Sequence, residues 1–454
     1  MILNILIGLI GLGIVILVHE TGHFVAAKLC GIDVEAFSLG WGKKLISFKK
    51  NKTEYRLSLI PLGGYCKMKG DDLLKKAWQA NADTIPYEEG SFFSVSPWKR
   101  ILVAVSGPFS NLVFAVVILS LLWWVGFNIR TFENKIILAS EYAQFGGKAS
   151  YPADRAGLKT GDIIIAINGR QVNHYRDIQE AITPSAGKEL SVRVLREDKE
   201  LAVTLSPELD KETGIGRIGV FAWIDPVIGF IQAGSSAAVA GLKPGDRLTA
   251  LNDRPVENTV DFYSAFLSKP QKVDMTFERK GIRQAVTLIA DYTEKGDPDL
   301  GLSFATRLFR SPNLNFFQAV EKGFQETINT LDLSFKSIAL LFKGVNLREA
   351  VSGPIRLTYY VGEVATQGFK MGISDGFTNS FQFLSLISVA LFIMNLLPIP
   401  VLDGGLFLLF LFQGITHKEL KPKIIFRYQS IGLLIIVTIA LFTAFNDIFF
   451  LVKR

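Results

Sequence analysis

The residues with the greatest chemical potential form one short run, His19-Glu20-Thr21-Gly22-His23. On a helix, His19 and His23 project from the same face, where two imidazoles can hold one Zn²⁺. Glu20 lies beside them, placed to take a proton from a water molecule at the metal. The alternative, a helix with two hydrogen-bonded core histidines, does not explain why such costly polar groups directly follow an apolar run. We therefore predict a zinc site with His19 and His23 as ligands and Glu20 as the catalytic residue.

Zinc needs a further protein ligand, and Asp403 is the strongest candidate in the sequence. It closes an apolar segment in which Pro398 and Pro400 interrupt the helical pattern. The loosened backbone can therefore direct the carboxylate inward, and a carboxylate at membrane depth marks a functional site. The alternative is an Asp at a helix end that faces the cytosol. Two histidines and one carboxylate would leave a fourth position open for water, as in hydrolytic zinc sites.

Four apolar segments are each about long enough to cross a bilayer as a helix. They are Ile2–Val18, Ile101–Ile129, Gly376–Leu402 and Tyr428–Asn446. With 49% apolar residues, the chain is predicted to be a multi-pass α-helical membrane protein with four transmembrane helices. A cleaved signal peptide is the alternative for the first segment. That segment lacks a basic n-region, however, and cleavage near its end would break up the metal motif.

The distribution of charge sets the predicted orientation. Residues 28–100 carry 13 Lys/Arg and 8 Asp/Glu, and residues 415–427 carry 4 Lys/Arg and one Glu. The positive-inside rule places both loops in the cytoplasm, and the N-terminus and residues 130–375 outside. The first and third segments then both run inward, which brings the histidine pair and Asp403 to similar depth. Because the basic charge follows the topology, we predict a lipid bilayer as partner and no nucleic acid.

The predicted outer region contains a duplicated sequence. Ala156–Asp162 and Ala240–Asp246 share the pattern Ala-Gly-Leu-Lys-x-Gly-Asp, 84 positions apart. Each copy continues into a short β run, Ile163–Ile167 or Arg247–Leu251, and then a hairpin turn. So many coincidences at one offset indicate two tandem domains. The pattern resembles PDZ domains, which implies two PDZ-like α+β domains with grooves for peptides or C-terminal segments. Two inert spacers are the alternative.

A membrane-associated β-hairpin is predicted directly after the metal motif. Apolar and polar residues alternate over 54–60, and Pro61-Leu62-Gly63-Gly64 would then turn the chain toward 65–68. An ordinary hairpin on the cytoplasmic surface is the alternative.

Residues 316–342 are apolar at helical spacing but carry several charged residues. This pattern predicts an amphipathic helix on the outer membrane surface rather than a fifth span. Packing beneath the duplicated domains is the alternative.

Taken together, these motifs resemble the site-2 protease family of intramembrane zinc metalloproteases. The resemblance covers almost the full length. It rests on the histidine motif and on the Asn395-x-x-Pro-x-Pro-x-Leu-Asp-Gly run of the third segment. Gly107-Pro108-Phe109-Ser110-Asn111 is similar to the family's Gly-Pro-x-x-Asn stretch and is expected to open the second span. Ser352-Gly353-Pro354-Ile355 matches a recurring bacterial segment to which we assign no role.

The resemblance implies an endopeptidase of the bacterial inner membrane that holds one Zn²⁺ per chain. Its substrate would be the transmembrane segment of a single-span membrane protein, such as an anti-sigma factor already trimmed by another protease, or a remnant signal peptide. The PDZ-like pair would lie in the periplasm as a size filter or recognition site.

Related proteases have a membrane-embedded β-loop that adds an edge to the substrate. Cleavage requires an unwound substrate helix, because a helix shields its own carbonyls. We therefore expect substrate-binding roles for Leu59, Gly63, Gly64 and Tyr65, and for the Asn395 amide, which can both donate and accept hydrogen bonds.

Two functions from other classes are also possible: a non-catalytic scaffold or chaperone that uses the PDZ pair, and a metal transporter. Glu20 speaks against both, because a binding site needs no base beside its ligands. The predicted boundaries are 1–27 for the first transmembrane helix, 28–97 for the β-loop region, 98–128 for the second transmembrane helix, 129–221 and 222–308 for the PDZ-like domains, 309–374 for the outer amphipathic helical region, 375–412 for the third transmembrane segment, 413–427 for a cytoplasmic loop and 428–454 for the fourth transmembrane helix.

Overall fold

The structure is a computed structural model of the chain and describes residues 2–145, 150–210, 215–293, 296–341 and 353–452. The chain forms two compact units. The helical unit comprises Met1–Asn128 and Arg310–Arg454, and the sheet unit comprises Ile129–Phe309.

Long helices lie at both ends of the chain, and most of the strands lie between them. The helices are α1 (Ile2–Leu29), α2 (Asp71–Gln79), α3 (Pro97–Val125), α4 (Pro152–Arg155), α5 (Tyr175–Ile182), α6 (Ser236–Val239), α7 (Thr259–Ser264), α8 (Phe316–Leu341), α9 (Pro354–Met371), α10 (Ile373–Asn395), α11 (Asp403–Thr416) and α12 (Pro422–Val452). The strands are β1 (Val34–Lys50), β2 (Thr53–Met68), β3 (Asn128–Thr131), β4 (Ile136–Leu138), β5 (Ile163–Ile167), β6 (Arg170–Gln171), β7 (Leu190–Arg196), β8 (Lys199–Leu205), β9 (Glu208–Leu209), β10 (Gly216–Arg217), β11 (Val220–Ala222), β12 (Ile228–Ile231), β13 (Arg247–Leu251), β14 (Arg254–Pro255), β15 (Lys272–Arg279), β16 (Ile282–Ile289), β17 (Leu302–Phe304) and β18 (Arg307–Arg310).

Four helices among the described residues are long and apolar enough to cross a membrane: α1, α3, α10 and α12. The prediction of four such helices is confirmed. α12 begins at Pro422, so much of the predicted loop 413–427 is helical. The third predicted segment is interrupted where the prolines were expected to interrupt it, because the chain leaves the helix after Asn395 and re-enters it at Asp403. Pro398 and Pro400 lie in this break, where proline cannot continue the hydrogen-bond ladder.

α1 lies between α9 and α3, and small residues allow the close contacts. A Cβ atom on Gly8 would lie 1.8 Å from the carbonyl oxygen of Thr358 on α9. A Cβ atom on Gly22 would lie 2.3 Å from the carbonyl oxygen of Ser106 on α3. Such close approach of backbones is how helices associate where there is no hydrophobic driving force between them. The metal motif is thus held on a helix that is packed on two sides.

α8 packs along α3, which corrects the predicted placement of this helix flat on the outer surface. The ring of Phe316 lies 5.8 Å from that of Trp124, and a Cβ atom on Gly323 would meet the backbone nitrogen of Ser120 at 2.6 Å. Farther along α8, Ile338 packs into the cluster that contains Ala115 of α3. Small and apolar residues on one face let this charged helix lie beside a span. Residues 342–352 of the predicted region 309–374, including Ser352, lie outside the described residues.

The start of α9 is capped by a buried carboxylate from α12. Asp447 accepts hydrogen bonds from the backbone nitrogens of Gly353, Ile355 and Arg356, at 3.1, 3.0 and 3.2 Å. These are donors that a helix leaves unpaired at its N-terminus, where negative charge is favourable. The Gly-Pro-Ile run without an assigned role therefore begins a helix that is tied to the fourth span.

β1 and β2 form a sheet with an order that the sequence analysis did not predict. The chain reverses at residues 51–52, so the second part of β1 pairs with the first part of β2 in an antiparallel hairpin. The first part of β1 also lies between the two ends of β2, because Leu39 is opposite both Leu57 and Gly64. The second end of β2, Gly63–Met68, is thus the edge of the sheet on the side of α1.

The predicted hairpin between residues 54–60 and 65–68 is therefore wrong, since both runs pair with β1. The physical reason is a bend in β1 at Gly40 and Gly42, which have φ values of 90° and 87°. A Cβ atom on Gly40 would also lie 2.8 Å from the carbonyl oxygen of Ile60. Glycine is needed for both the conformation and the space.

The sheet unit contains two copies of one four-stranded sheet. The order β6-β5-β7-β8 in the first copy recurs as β14-β13-β15-β16 in the second, and each copy has its own buried core. The predicted β runs Ile163–Ile167 and Arg247–Leu251 are confirmed as β5 and β13. The structure thus supports the duplication that the sequence pattern predicts.

Each copy also contains the same ion pair, between the Asp of the repeated Gly-Asp and an arginine at the end of a strand. Arg196 donates to Asp162 at 2.7 Å through both Nε and Nη2. Arg279 donates to Asp246 at 2.7 and 2.6 Å. Burial raises the pKa of Asp246, but the bonds from Arg279 hold this pKa below its usual value. The conserved geometry within one chain explains why Gly-Asp recurs in both copies.

Candidate active site

Three predicted ligand side chains meet where α1 and α11 approach each other. His19 and His23 lie one turn apart on α1, and Asp403 is the first residue of α11. Asp403 Oδ2 lies 3.3 Å from His19 Nε2, and Asp403 Oδ1 lies 3.4 Å from His23 Nε2. The two Nε2 atoms are 3.2 Å apart. Within the described part of the chain, these three side chains form the group that could hold a metal ion.

The separations fit a zinc ion held by all three side chains. Zinc bonds of about 2.0–2.1 Å to nitrogen and oxygen, arranged as a tetrahedron, require ligand atoms about 3.3–3.4 Å apart. The two imidazole nitrogens are 3.2 Å apart, and each lies 3.3 or 3.4 Å from one of the two Asp403 oxygens, so the donors are close enough to share one ion. Two imidazole nitrogens and a carboxylate are also the donors of hydrolytic zinc sites with one open position.

His23 is held so that Nε2 faces the other two candidate ligands. Its Nδ1 lies 2.8 Å from the carbonyl oxygen of Val103 on α3, so Nδ1–H donates and Nε2 keeps its lone pair. The ring is buried against Gly107, where a Cβ atom would lie 2.2 Å from Nε2. The glycine of the Gly-Pro-x-x-Asn stretch is therefore required by the space that the His23 ring occupies.

His19 is oriented by Asn111, a residue to which the sequence analysis gave no role. The Asn111 side chain lies 3.4 Å from His19 Nδ1 and is fully buried. Its Oδ1 has no hydrogen-bond partner among the described residues. Rotation of the amide by half a turn places Oδ1 as the acceptor for His19 Nδ1–H, which satisfies both groups. The sequence did give one sign of Asn111, because it is the last residue of the Gly-Pro-x-x-Asn stretch. That stretch lies within α3 rather than at its start, as had been expected.

Glu20 lies between the ligands and the sheet edge. Its carboxylate accepts a hydrogen bond from the backbone of Cys66 on β2. Gly64 comes so close that a Cβ atom there would lie 3.1 Å from Glu20 Cγ and 2.9 Å from the carbonyl oxygen of Ser38. The catalytic candidate and the edge of the sheet are thus in direct contact.

The structure brings some predicted substrate-binding residues together and separates others. Gly63, Gly64 and Tyr65 lie on the edge beside α1. Leu59 lies near the middle of β2, before the edge segment Gly63–Met68, so it is not part of this edge. Asn395 is the half-buried last residue of α10, and its side chain makes no hydrogen bond to another described residue.

The helices and the site define a class of protein, the multi-pass membrane metalloproteases. The model of peptidase family M50 matches residues 7–439, and the chain belongs to this family. The predictions of a site-2 protease family member and of a metalloprotease are thereby confirmed.

Relatives from several bacteria align over nearly the whole chain. A protein of Treponema pallidum (strain Nichols) named "Putative zinc metalloprotease" is 36% identical over 99% of this chain and 99% of its own length. A protein of Borreliella burgdorferi with the same name is 30% identical over 98% of each chain. The protein of Escherichia coli (strain K12) named "Regulator of sigma-E protease RseP" is 28% identical over 96% of this chain and 97% of its own. The names of the first two relatives support zinc as the metal.

One solved structure, the PDZ domain of an SdrC-like protein from Listeria monocytogenes, aligns with 18% of this chain and 90% of its own. The identity is 16% and the TM-score is 0.17, a value too low to establish the fold.

Proposed function

We propose that this protein is an intramembrane endopeptidase that cleaves the transmembrane segment of single-span membrane proteins. The observation that carries the proposal is the meeting of His19, His23 and Asp403 beside Glu20, on helices that are apolar enough to cross a membrane. We propose that the three side chains hold one Zn²⁺ per chain and that Glu20 is the catalytic residue.

The residues of the chain would divide the chemistry among them. Zinc, when bound, supplies a Lewis acid that polarises the peptide carbonyl and lowers the pKa of water. Glu20 takes the proton of the attacking water and passes it to the leaving amine. The bond from the Cys66 backbone fixes the Glu20 carboxylate. Asn111 and the Val103 carbonyl hold the two imidazoles in the orientation that presents Nε2.

A substrate helix must unwind before its peptide bond can be attacked, and each bare backbone group costs several kcal/mol in lipid. We propose that the edge of β2 at Gly63, Gly64 and Tyr65 pairs with the unwound strand. The close contact between Gly64 on this edge and Glu20 supports the proposed pairing. The amide of Asn395 would hold the same opened backbone.

We propose a place and a substrate from the relatives. The protein would lie in the bacterial inner membrane, with the N-terminus and the sheet unit in the periplasm and the basic loops in the cytoplasm. An anti-sigma factor trimmed by another protease is the proposed substrate, because one relative is named as a regulator of sigma-E protease. Remnant signal peptides are a second substrate class. The two copies of the sheet unit would be PDZ-like domains whose grooves bind peptides or C-terminal segments.

The test combines metal analysis with cleavage of a single-span model substrate by purified protein. We expect one zinc per chain in both the wild type and Glu20→Gln, with cleavage only in the wild type. The substitution removes the base and keeps the ligands, so zinc retention separates loss of chemistry from loss of folding. Cleavage that survives in Glu20→Gln would contradict the proposed role of Glu20. If the protein were a scaffold or a transporter, the substitution would leave its function unchanged.

A further inference from the structure

A cavity of about 450 Å³ lies directly beside the proposed zinc ligands. His23 and Asp403 contribute to one part of its wall, and Cys66, Ala104 and Leu406 contribute to others. One water molecule occupies about 30 Å³ in the liquid, so the cavity is far larger than a single-water site. It is therefore large enough for a side chain of a substrate.

The wall of this cavity is mainly aromatic and aliphatic. Phe92, Phe93, Phe410 and Phe426 all line it, and all belong to the apolar cluster between α2, α3, α11 and α12 or to its immediate neighbours. Apart from the two ligands, Lys75 and Gln429 are polar members of the wall. Ligand sites of this kind, with apolar walls and few polar groups, recognise apolar groups of the ligand.

The cavity and the substrate edge share one residue. Cys66 lines the cavity, and its backbone bonds the carboxylate of Glu20. A strand that pairs with the edge at Gly64 and Cys66 would bring its backbone past Glu20 and the ligands. Side chains of an extended strand alternate between its two faces, so a residue next to the cleaved bond would point toward the cavity.

We propose that this cavity is the subsite for the apolar side chain of one of the two residues that flank the cleaved bond, and that Leu406 sets its size. Leu406 lies on α11 about one turn after Asp403, so its position is fixed by the helix that supplies a ligand. This inference rests on the proposed function and names a specificity determinant of the same site.

The test changes the size of the cavity and measures preference among substrates. Leu406→Trp narrows the cavity and Leu406→Ala enlarges it. Model substrates carry Ala, Leu or Phe at each of the two flanking positions. We expect the ratio of kcat/KM for Phe over Ala at one position to fall about tenfold in Leu406→Trp and to rise about tenfold in Leu406→Ala, the scale of size discrimination by apolar pockets.

Leu408 provides a matched control on the same helix. It has 44% of its surface exposed and does not line the cavity. Leu408→Trp and Leu408→Ala should leave the preference unchanged. The same order of preference should appear in substrate Kd values measured in the Glu20→Gln background, where no cleavage occurs, and zinc content should equal that of the wild type.

Two results would overturn the subsite while leaving the proposed function intact. One is an active set of variants whose preference among the substrates is unchanged. The other is a uniform loss of kcat for every substrate in Leu406→Trp, which would identify a path for water rather than a subsite. Wild-type protein that holds zinc but cleaves none of the substrates would instead overturn the proposed function and the subsite with it.

Discussion

The two proposed histidine ligands are each fixed by a group on α3. His23 is held by a backbone carbonyl, which no substitution of a side chain removes, whereas His19 depends on the Asn111 side chain. Partners of this kind fix the tautomer and orientation of a metal-binding imidazole. Substitution of Asn111 can therefore change the orientation of His19 while all three candidate ligands are kept.

Replacement of Asn111 by Ala should weaken zinc binding about 10- to 100-fold, because His19 loses its partner and a cavity is left beside it. The measurement is competition with a chelator of known affinity. Ser120→Ala on the same helix, where the Ser120 hydroxyl donates to the Val116 carbonyl of α3, is the control. Equal zinc affinity in both variants would show that Asn111 does not position His19.

For single residues, the sequence was most informative where the residue type is rare in its surroundings. Two histidines at helical spacing after an apolar run, and an Asp after two prolines, are costly enough to be identified without a structure. Asn111 is not, because a single Asn within an apolar helix gives no sign of which side chain it will meet. Its contact with His19 depends on how α3 packs against α1.

The sheet of β1 and β2 shows what sequence patterns of single elements leave open. The alternation in residues 54–60 correctly indicated a strand, but the partner was wrong. The true partner, β1, bends at Gly40 so that its first part reaches both ends of β2. Pairing between distant segments depends on such bends, and Pro61–Gly64 has the composition of a turn without reversing the sheet.

Replacement of Gly64 by Ala should lower kcat/KM at least tenfold while zinc stays bound. The new Cβ would lie 2.9 Å from the carbonyl oxygen of Ser38 and 3.1 Å from Glu20 Cγ, so the edge strand or Glu20 must shift. Small displacements of this kind cost large factors in rate. Gly13→Ala is the control, since its nearest neighbour would be at 4.0 Å. Equal activity of the two variants would contradict the close contact between the edge and Glu20.

The chain as a whole is a helical unit with a sheet unit inserted into it. The two chain ends at which the helical unit is interrupted lie side by side, because Phe127 and Ser311 form hydrogen bonds with each other. The Phe127 backbone nitrogen donates to Ser311 Oγ at 2.9 Å, and the Ser311 nitrogen donates to the Phe127 carbonyl at 2.9 Å. The duplication and the four spans could be predicted from repeats and apolar length, whereas the placement of α8 beside α3 could not, because its charges indicated a surface helix.

Deletion of Arg130–Leu308, with a short linker in its place, should allow cleavage of substrates that retain a bulky outer domain. The helical unit should persist because its ends meet at Phe127 and Ser311. The measurement is cleavage of trimmed and untrimmed forms of one model substrate. A deletion protein that cleaves the trimmed form but still refuses the untrimmed form would place the size filter elsewhere.

The second copy of the sheet unit should lose stability in acid, when the Asp246 carboxylate of its ion pair becomes protonated. The folded pKa of Asp246 is below its usual value, so the pair stabilises the fold above the unfolded pKa of about 3.9 and this gain is lost as pH falls through the folded pKa. Asp246→Asn should therefore reduce protection of the β13 amides from hydrogen exchange at neutral pH, and the difference from the wild type should shrink in acid. Asp253→Asn, in an exposed turn, is the control. A difference that does not change with pH would exclude the ionised pair as the cause.

The coordination of zinc in purified protein tests the central claim most directly. X-ray absorption at the zinc edge should show only nitrogen and oxygen neighbours at about 2.0–2.1 Å, with two imidazoles, and Asp403→Ala should change this shell. A sulfur neighbour at about 2.3 Å, which would implicate the nearby Cys66, or a shell that is the same in Asp403→Ala, would contradict it.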